Sequence, residues 1–317
     1  MTLAQRVRFY EQLATMARAG VSLRQALINL SDRFPHAEVR RLSEGIERGE
    51  GTALAFERAG FRPFETSLVE AGEKSGRLEV IYLQLASFWK EELELQSAVR
   101  RRLIYPLFVL HLAAFLGPIM QMTESVIGYV FGVFLRLAVM YGLAIAAYVW
   151  VQLTWKTAVG QRRWLRTPLI GPAIRDTYAY RWTLALSLEF SSGIALPLAA
   201  ADAWKATGYH EREERAVEAQ QRLGEGETLS VLMKEWPQFN PDWRGYVETG
   251  EYSGKLEETL VMLRDQGQTE WKRSQETLSE WLPKLLYFGV ILLVLIQIYL
   301  SFAKVYGSIN TLMDSLP

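Results

Sequence analysis

The sequence predicts an all-α membrane protein, with two homologous antiparallel helical-bundle cytoplasmic domains and three transmembrane helices. Three observations carry this expectation. Three long apolar blocks contain almost no charge, a Gly-Glu-x-Ser-Gly segment occurs twice, and helical periodicity prevails with no strict alternation that would mark a strand. Half of the 317 residues are hydrophobic and the formal net charge is zero, so nothing global points to a nucleic-acid partner.

Residues 1–102 read as the first bundle. The N-terminus, Met1 to Arg8, has basic residues but no apolar stretch behind them, so no cleavable signal is expected and this bundle is placed in the cytoplasm. Phe9 to Ala19 has helical periodicity and Gly20 supplies its stop. Ser22 with Gln25 forms a plausible capping box for a helix over Leu23 to Leu30. Gly49-Glu50-Gly51 ends a further helix, and Thr52 is expected to cap the next. Phe64 to Ala71 is read as a short helix stopped at Gly72. Ser75 is then expected to cap a long helix that passes Trp89 into the membrane, with Pro106 able to kink it.

The first span is placed at 103–122, after Arg100-Arg101-Arg102, and a short extracytoplasmic turn at 123–136 contains Glu124. The second span is placed at 137–155, within an apolar block from Val126 to Trp155. Lys156, Arg162, Arg163 and Arg166 follow it, and a second cytoplasmic bundle occupies 156–284. The third span is 285–303, with Pro283 near its entry, and an extracytoplasmic tail covers 304–317. Two polar side chains fall in or beside the spans. Arg136 is expected to snorkel to the outer interface, or else to sit in the bilayer paired with an acid; His111 is expected as a neutral histidine packed between helices, or else as a relay group.

The duplication sets the architecture. Val69 to Glu79 is matched by Val247 to Glu257, and Gly49 to Leu54 by Gly224 to Leu229; Gly20 sits between two helical patterns as Gly193 does. The repeat-signature positions are Gly72, Ser75 and Gly76 in the first copy and Gly250, Ser253 and Gly254 in the second. Helix stops and caps account for glycine and serine there. Glu73, Arg77, Glu251 and Lys255 are expected at exposed helix ends, as candidates for a partner-binding surface.

Catalytic chemistry is absent from the pattern. There are no cysteines and only three scattered histidines, His36, His111 and His210, which excludes thiolate sites and offers no short-spaced zinc site. Gly250 to Lys255 superficially resembles a phosphate-binding loop, but three residues rather than four separate its glycines, and Leu256 stands where a magnesium-binding hydroxyl belongs. No cofactor and no metal are expected.

The duplicated segments resemble the F domain of the inner-membrane platform proteins of type II secretion and type IV pilus assembly. Ala19-Gly20-Val21-Ser22-Leu23 and Ser192-Gly193-Ile194-Ala195-Leu196 are similar to one family pattern, Gly72 to Leu78 and Gly250 to Leu256 to another, and the likeness covers nearly the whole chain. The resemblance implies a non-enzymatic platform in the bacterial inner membrane, N-terminus cytoplasmic and C-terminus outside. It further implies partners: a cytoplasmic hexameric assembly ATPase, pilin or pseudopilin transmembrane segments, other inner-membrane assembly proteins and further copies of itself. The start close to the first bundle and the short turn look more like the compact type IVb platforms than the secretion versions. A transporter permease or a signalling receptor stands as a reading from another class.

Overall fold

The computed structural model describes residues 1–116, 118, 125–155, 157–236 and 239–314. Regular structure among them is helical throughout. The order is α1 (Leu3–Arg18), α2 (Leu23–Ser31), α3 (Ala37–Glu47), α4 (Thr52–Ala59), α5 (Pro63–Ser75), α6 (Leu78–Leu116), α7 (Val126–Trp155), α8 (Ala158–Leu165), α9 (Ile170–Phe190), α10 (Leu196–Thr207), α11 (Arg212–Gly224), α12 (Leu229–Met233), α13 (Pro241–Ser253) and α14 (Leu256–Asp314). The chain divides into two units, residues 1–95 with 157–275, and residues 96–156 with 276–317.

Both repeats lie in the first unit and share one continuous apolar core. Aromatic residues from both copies make the junction. Phe88 of α6 stacks on Trp271 of α14 at 5.4 Å and 13°, and Tyr180 of α9 stacks on Trp271 at 5.2 Å. Arg181 of α9 lays its guanidinium over the rings of Phe64 and Phe88, at 5.2 and 5.4 Å. Large flat rings bury much apolar area per residue, so a few of them suffice to fuse two small bundles that would each have a thin core alone.

Within the first repeat, α1 opens on a capping box between Thr2 and Gln5 and buries Phe9, Tyr10, Leu13 and Ala14. Ser22 Oγ accepts the Gln25 amide at 3.3 Å, while the Gln25 side chain turns to Asn29, so only half of the expected box forms there. Glu65 of α5 is completely buried on the apolar stripe. It accepts from Arg6 Nη1 at 2.6 Å, Tyr10 Oη at 2.8 Å, Trp89 Nε1 at 3.1 Å and its own helix start, the Arg62 amide, at 2.8 Å. Superposing the repeat signatures puts Trp243 where Glu65 stands and Gly267 where Trp89 stands. A Cβ on Gly267 would come within 2.9 Å of the Trp243 ring, so the indole takes the volume that the second copy leaves empty.

The second unit holds the apolar helices. α7 has 30 residues, about 45 Å at 1.5 Å per residue, longer than a hydrocarbon core of about 30 Å. Residues 126–136, expected in a turn, form its first three turns, and Ser125 caps their start, its Oγ accepting the Gly128 amide at 3.2 Å. Residues 256–296 of α14 contain a second stretch long and apolar enough to span, and within both candidate spans most of the described apolar side chains are exposed. The described part of the expected first span, residues 103–116, is helical as part of α6. Residues 117, 119–124, 156 and 315–317, where parts of the first span, the turn with Glu124, Lys156 and the tail are expected, lie outside the described residues. Neither proline interrupts its helix: α6 continues through Pro106 and α14 through Pro283.

His111 of α6 bonds through Nδ1 to the Leu107 carbonyl at 2.7 Å and through Nε2 to Tyr141 Oη of α7 at 2.8 Å. A carbonyl can only accept, so Nδ1 carries a proton, and in the neutral ring Nε2 accepts from Tyr141 Oη. Arg136 donates to the Gly132 carbonyl one turn earlier, at 3.2 Å, its side chain directed toward the start of α7. Arg102 donates to Ser279 Oγ at 2.8 Å.

Breaking the buried ion pair of the first repeat strands a charge. Glu65→Ala is expected to destabilise the protein by about 3–5 kcal/mol, whereas the double variant Glu65→Leu with Arg6→Met recovers most of that loss. Chemical unfolding of the two purified variants checks the ordering.

Candidate functional site

The duplicated signature is the part of the sequence that packing alone explains least, and its geometry is the same in both copies. α5 and α13 do not stop at Gly72 and Gly250, as the sequence predicts, but run one turn further to Ser75 and Ser253. Gly76 and Gly254 end them in left-handed conformation, at φ 69° and 68°, and their amides bond back to Glu73 and Glu251 carbonyls. The two serines do not cap the next helix either. Ser75 Oγ donates to the Ala71 carbonyl and Ser253 Oγ to the Thr249 carbonyl, both at 2.7 Å, so each hydroxyl is consumed by its own helix.

Gly72 and Gly250 serve close approach. A Cβ on Gly72 would lie 2.7 Å from Ile81 Cγ1 of α6, and one on Gly250 would collide with Thr259 of α14. The short helix therefore lies directly against the first turn of the long helix that follows it. Gly20 and Gly193, between α1 and α2 and between α9 and α10, occupy the turns expected of them.

The next residue in each signature makes a clamp. Glu73 Oε1 accepts the Thr52 amide at 2.7 Å and Oε2 the Ala53 amide at 3.1 Å. In the second copy, Glu251 accepts the Leu229 amide at 2.5 Å and the Ser230 amide at 3.2 Å. Each carboxylate thus fills the role that Thr52 is expected to play, capping the start of α4 or α12 from a distance of some twenty residues in sequence. A helix start exposes amides with no intrahelical partner and a partial positive charge, and a bidentate carboxylate answers both. Partial burial works against ionisation of Glu73, but the Thr52 and Ala53 amides and the Thr52 side chain outweigh it and hold the carboxyl below its usual value. The two glutamates, expected at exposed helix ends as partner candidates, each hold a helix start within the chain, with Glu73 exposed and Glu251 half-buried.

The remaining signature positions diverge. Arg77 reaches the Ser191 carbonyl of the second repeat at 3.4 Å, and Lys255 is largely exposed beside Glu258. Lys74, which the sequence gives no reason to single out, bonds Asp202 of α10 at 3.0 Å and Glu70 at 2.8 Å. Under this bridge lies Glu189 of α9, 1% exposed, with neither carboxylate oxygen hydrogen-bonded. Burial pushes its pKa up to about 9; Asp202 and Glu70 push the same way, and Lys74 and Lys205 oppose them. The signal for Glu65 and Glu189 in the sequence is a carboxylate falling on an apolar helical stripe. For Lys74 and Asp202, 128 residues apart, no local signal exists.

Two outcomes follow from this geometry. Glu73→Ala and Glu251→Ala should each lower stability by about 1–2 kcal/mol, the range of a lost helix cap. Hydrogen exchange should then speed up first at α4 or α12 respectively, and loss confined to other helices would contradict the clamp. Glu189 holds its proton in the folded state and sheds it in the unfolded state between about pH 4.5 and 9, so its contribution to stability is present in acid and lost as pH rises through that window. Glu189→Gln should therefore melt higher than the parent at neutral and alkaline pH, with the difference closing toward pH 4.5 in a thermal scan.

Known proteins are similar to this chain in sequence. Residues 9–122 and 182–302 match the family described as type II secretion system (T2SS), protein F, one match for each repeat with its following apolar segment. The type IV pilus assembly protein PilC of Thermus thermophilus is 28% identical across 95% of this chain and 82% of its own length. The type II secretion system protein F of Aeromonas hydrophila is 27% identical across 94% and 86%, and the protein transport protein HofC homolog of Escherichia coli K12 is 24% identical across 91% and 80%. With well over half of its residues matched in two tandem segments, the chain belongs to the type II secretion system protein F family, the non-enzymatic, membrane-associated platform proteins of type II secretion and type IV pilus assembly.

Proposed function

We propose that this chain is the inner-membrane platform of a type IV pilus, of the compact type IVb kind, and that it couples a cytoplasmic hexameric ATPase to the insertion of pilin subunits. The observation that carries the reading is the fused pair of repeats combined with helix continuity. α6 and α14 each run unbroken from residues of the first unit into residues of the second, so displacement of the shared core has two helical routes into apolar segments. The basic runs Arg100-Arg101-Arg102 and Arg162, Arg163, Arg166 support a topology with both repeats in the cytoplasm and the C-terminus outside. Arg77 and Lys255, the exposed cations of the two signatures, are assigned to the face that meets soluble partners. Tyr105, Tyr287 and the exposed apolar side chains of α7 offer the surface for a pilin helix in the bilayer.

The relatives' names include both pilus assembly and secretion proteins, and a secretion pseudopilus is the second reading. The tagged full-length protein, purified from its native membranes under mild detergent or crosslinking, should bring down a hexameric assembly ATPase and prepilin-like subunits, identified by mass spectrometry. Recovery of pseudopilins with secretion components would move the assignment to the second reading. Recovery of a soluble substrate-binding protein or a kinase, with neither ATPase nor pilin, would overturn both.

A further inference from the structure

The chain contains one interface between its repeats whose two mating faces recur, by the duplication, on surfaces that the chain leaves open. In the existing contact, α5 of the first repeat packs on α9 and α10 of the second: Lys74 bonds Asp202 at 3.0 Å, and Phe64 lies 5.2 Å from the Arg181 guanidinium. The contact is heterologous, since a signature helix on one side meets a different pair of helices on the other.

The signature register carries the α5 face onto α13, where Phe64 becomes Asp242, Ala71 becomes Thr249 and Lys74 becomes Tyr252. The register of Gly20 with Gly193 carries the receiving face onto α1 and α2, where Arg181 becomes Arg8, Ala201 becomes Ile28 and Asp202 becomes Asn29. Phe64, Ala71, Ala201 and Asp202 are buried. Their counterparts Asp242, Thr249, Ile28 and Asn29 are exposed, and Tyr252 is 96% exposed. Tyr252 and Ile28 are the large side chains that these matched faces present to solvent.

The substitutions are also complementary in pairs. Where the receiving carboxylate Asp202 becomes the amide Asn29, the lysine that bonds it becomes the phenol of Tyr252, and the bonding capacity of the pair survives without charge. Where the ring of Phe64 becomes the carboxylate of Asp242, its counterpart remains an arginine, Arg8, and a cation over a ring becomes an ion pair. We infer that α13 of one copy docks on α1 and α2 of a second copy of this chain, repeating between molecules the contact that α5 makes with α9 and α10 within one. Because the contact is head-to-tail, each copy keeps one free face of each kind, and the assembly closes as a ring or continues as a helix. This inference stands on the duplication and burial alone and is independent of the cargo and ATPase assigned above.

The absence of native cysteines allows a direct test in membranes with the full chain. Two differently tagged copies are co-expressed, one carrying Tyr252→Cys and the other Asn29→Cys, and treated with a short bismaleimide, since a pair joined through a lysine-length side chain need not approach to disulfide distance. The mixed pair should crosslink at least several-fold more than either variant alone. Arg8→Glu in the Asn29→Cys copy should reduce that yield several-fold, and Asp242→Arg in the other copy should restore it. Equal crosslinking by Tyr252→Cys alone would indicate a twofold contact and overturn the inference. So would no crosslinking while both thiols accept a monofunctional maleimide, or a yield indifferent to Arg8→Glu.

Discussion

A helix start leaves its first amides without partners inside the helix, and both copies of the signature are organised around answering them. The Glu73 and Glu251 carboxylates answer them for α4 and α12, and each can do so only because the preceding glycine lets its helix lie against the start of the following long one. Close approach, clamp and left-handed stop occupy five consecutive residues. Moving any one of them would detach a short helix from the end of a long one. The signature is therefore a joint, and its repetition gives the chain two joints of the same make.

What surrounds the joints has diverged. The first copy holds its helices with a buried charge network, Arg6, Tyr10 and Trp89 around Glu65. The second fills the same place with the Trp243 ring against Gly267, and adds an aromatic cluster in which Trp204 meets Trp236 at 4.9 Å and Trp182 meets Phe239 at 4.8 Å. A charge network demands its partners at fixed positions, whereas rings tolerate small shifts. Two bundles with one backbone plan thus reach stability by different chemistry, and neither core can be grafted into the other one residue at a time.

The helical class, the duplication and the apolar blocks were legible because they rest on periodicity and local punctuation, which Gly20, Gly193 and the apolar run from Val126 display within a few residues. The family was legible for the same reason. The extent of α5 was not, because a glycine reads locally as a stop, and only the neighbouring Ile81 shows that Gly72 is there for want of space. Ser75 misled in a parallel way: serine caps helices at their start, but it also bonds back to a carbonyl at their end, and local sequence does not separate the two. The clamp of Glu73 and the Lys74–Asp202 bridge join residues far apart in the chain, and no local pattern encodes a tertiary partner.

The length of α14 has a consequence for how such a chain can change. Its 59 residues form one helix from the signature glycine onward, with Pro283 inside it and no loop to absorb a shift. Each residue of a helix turns the chain by about 100°, so inserting or deleting one between the stacked Trp271 and the apolar stretch would swing every side chain beyond it to a new azimuth. Seven residues return nearly to phase, about 20° short of two full turns. Along such a helix a change of length is also a change of facing, whereas a change of composition alone is not.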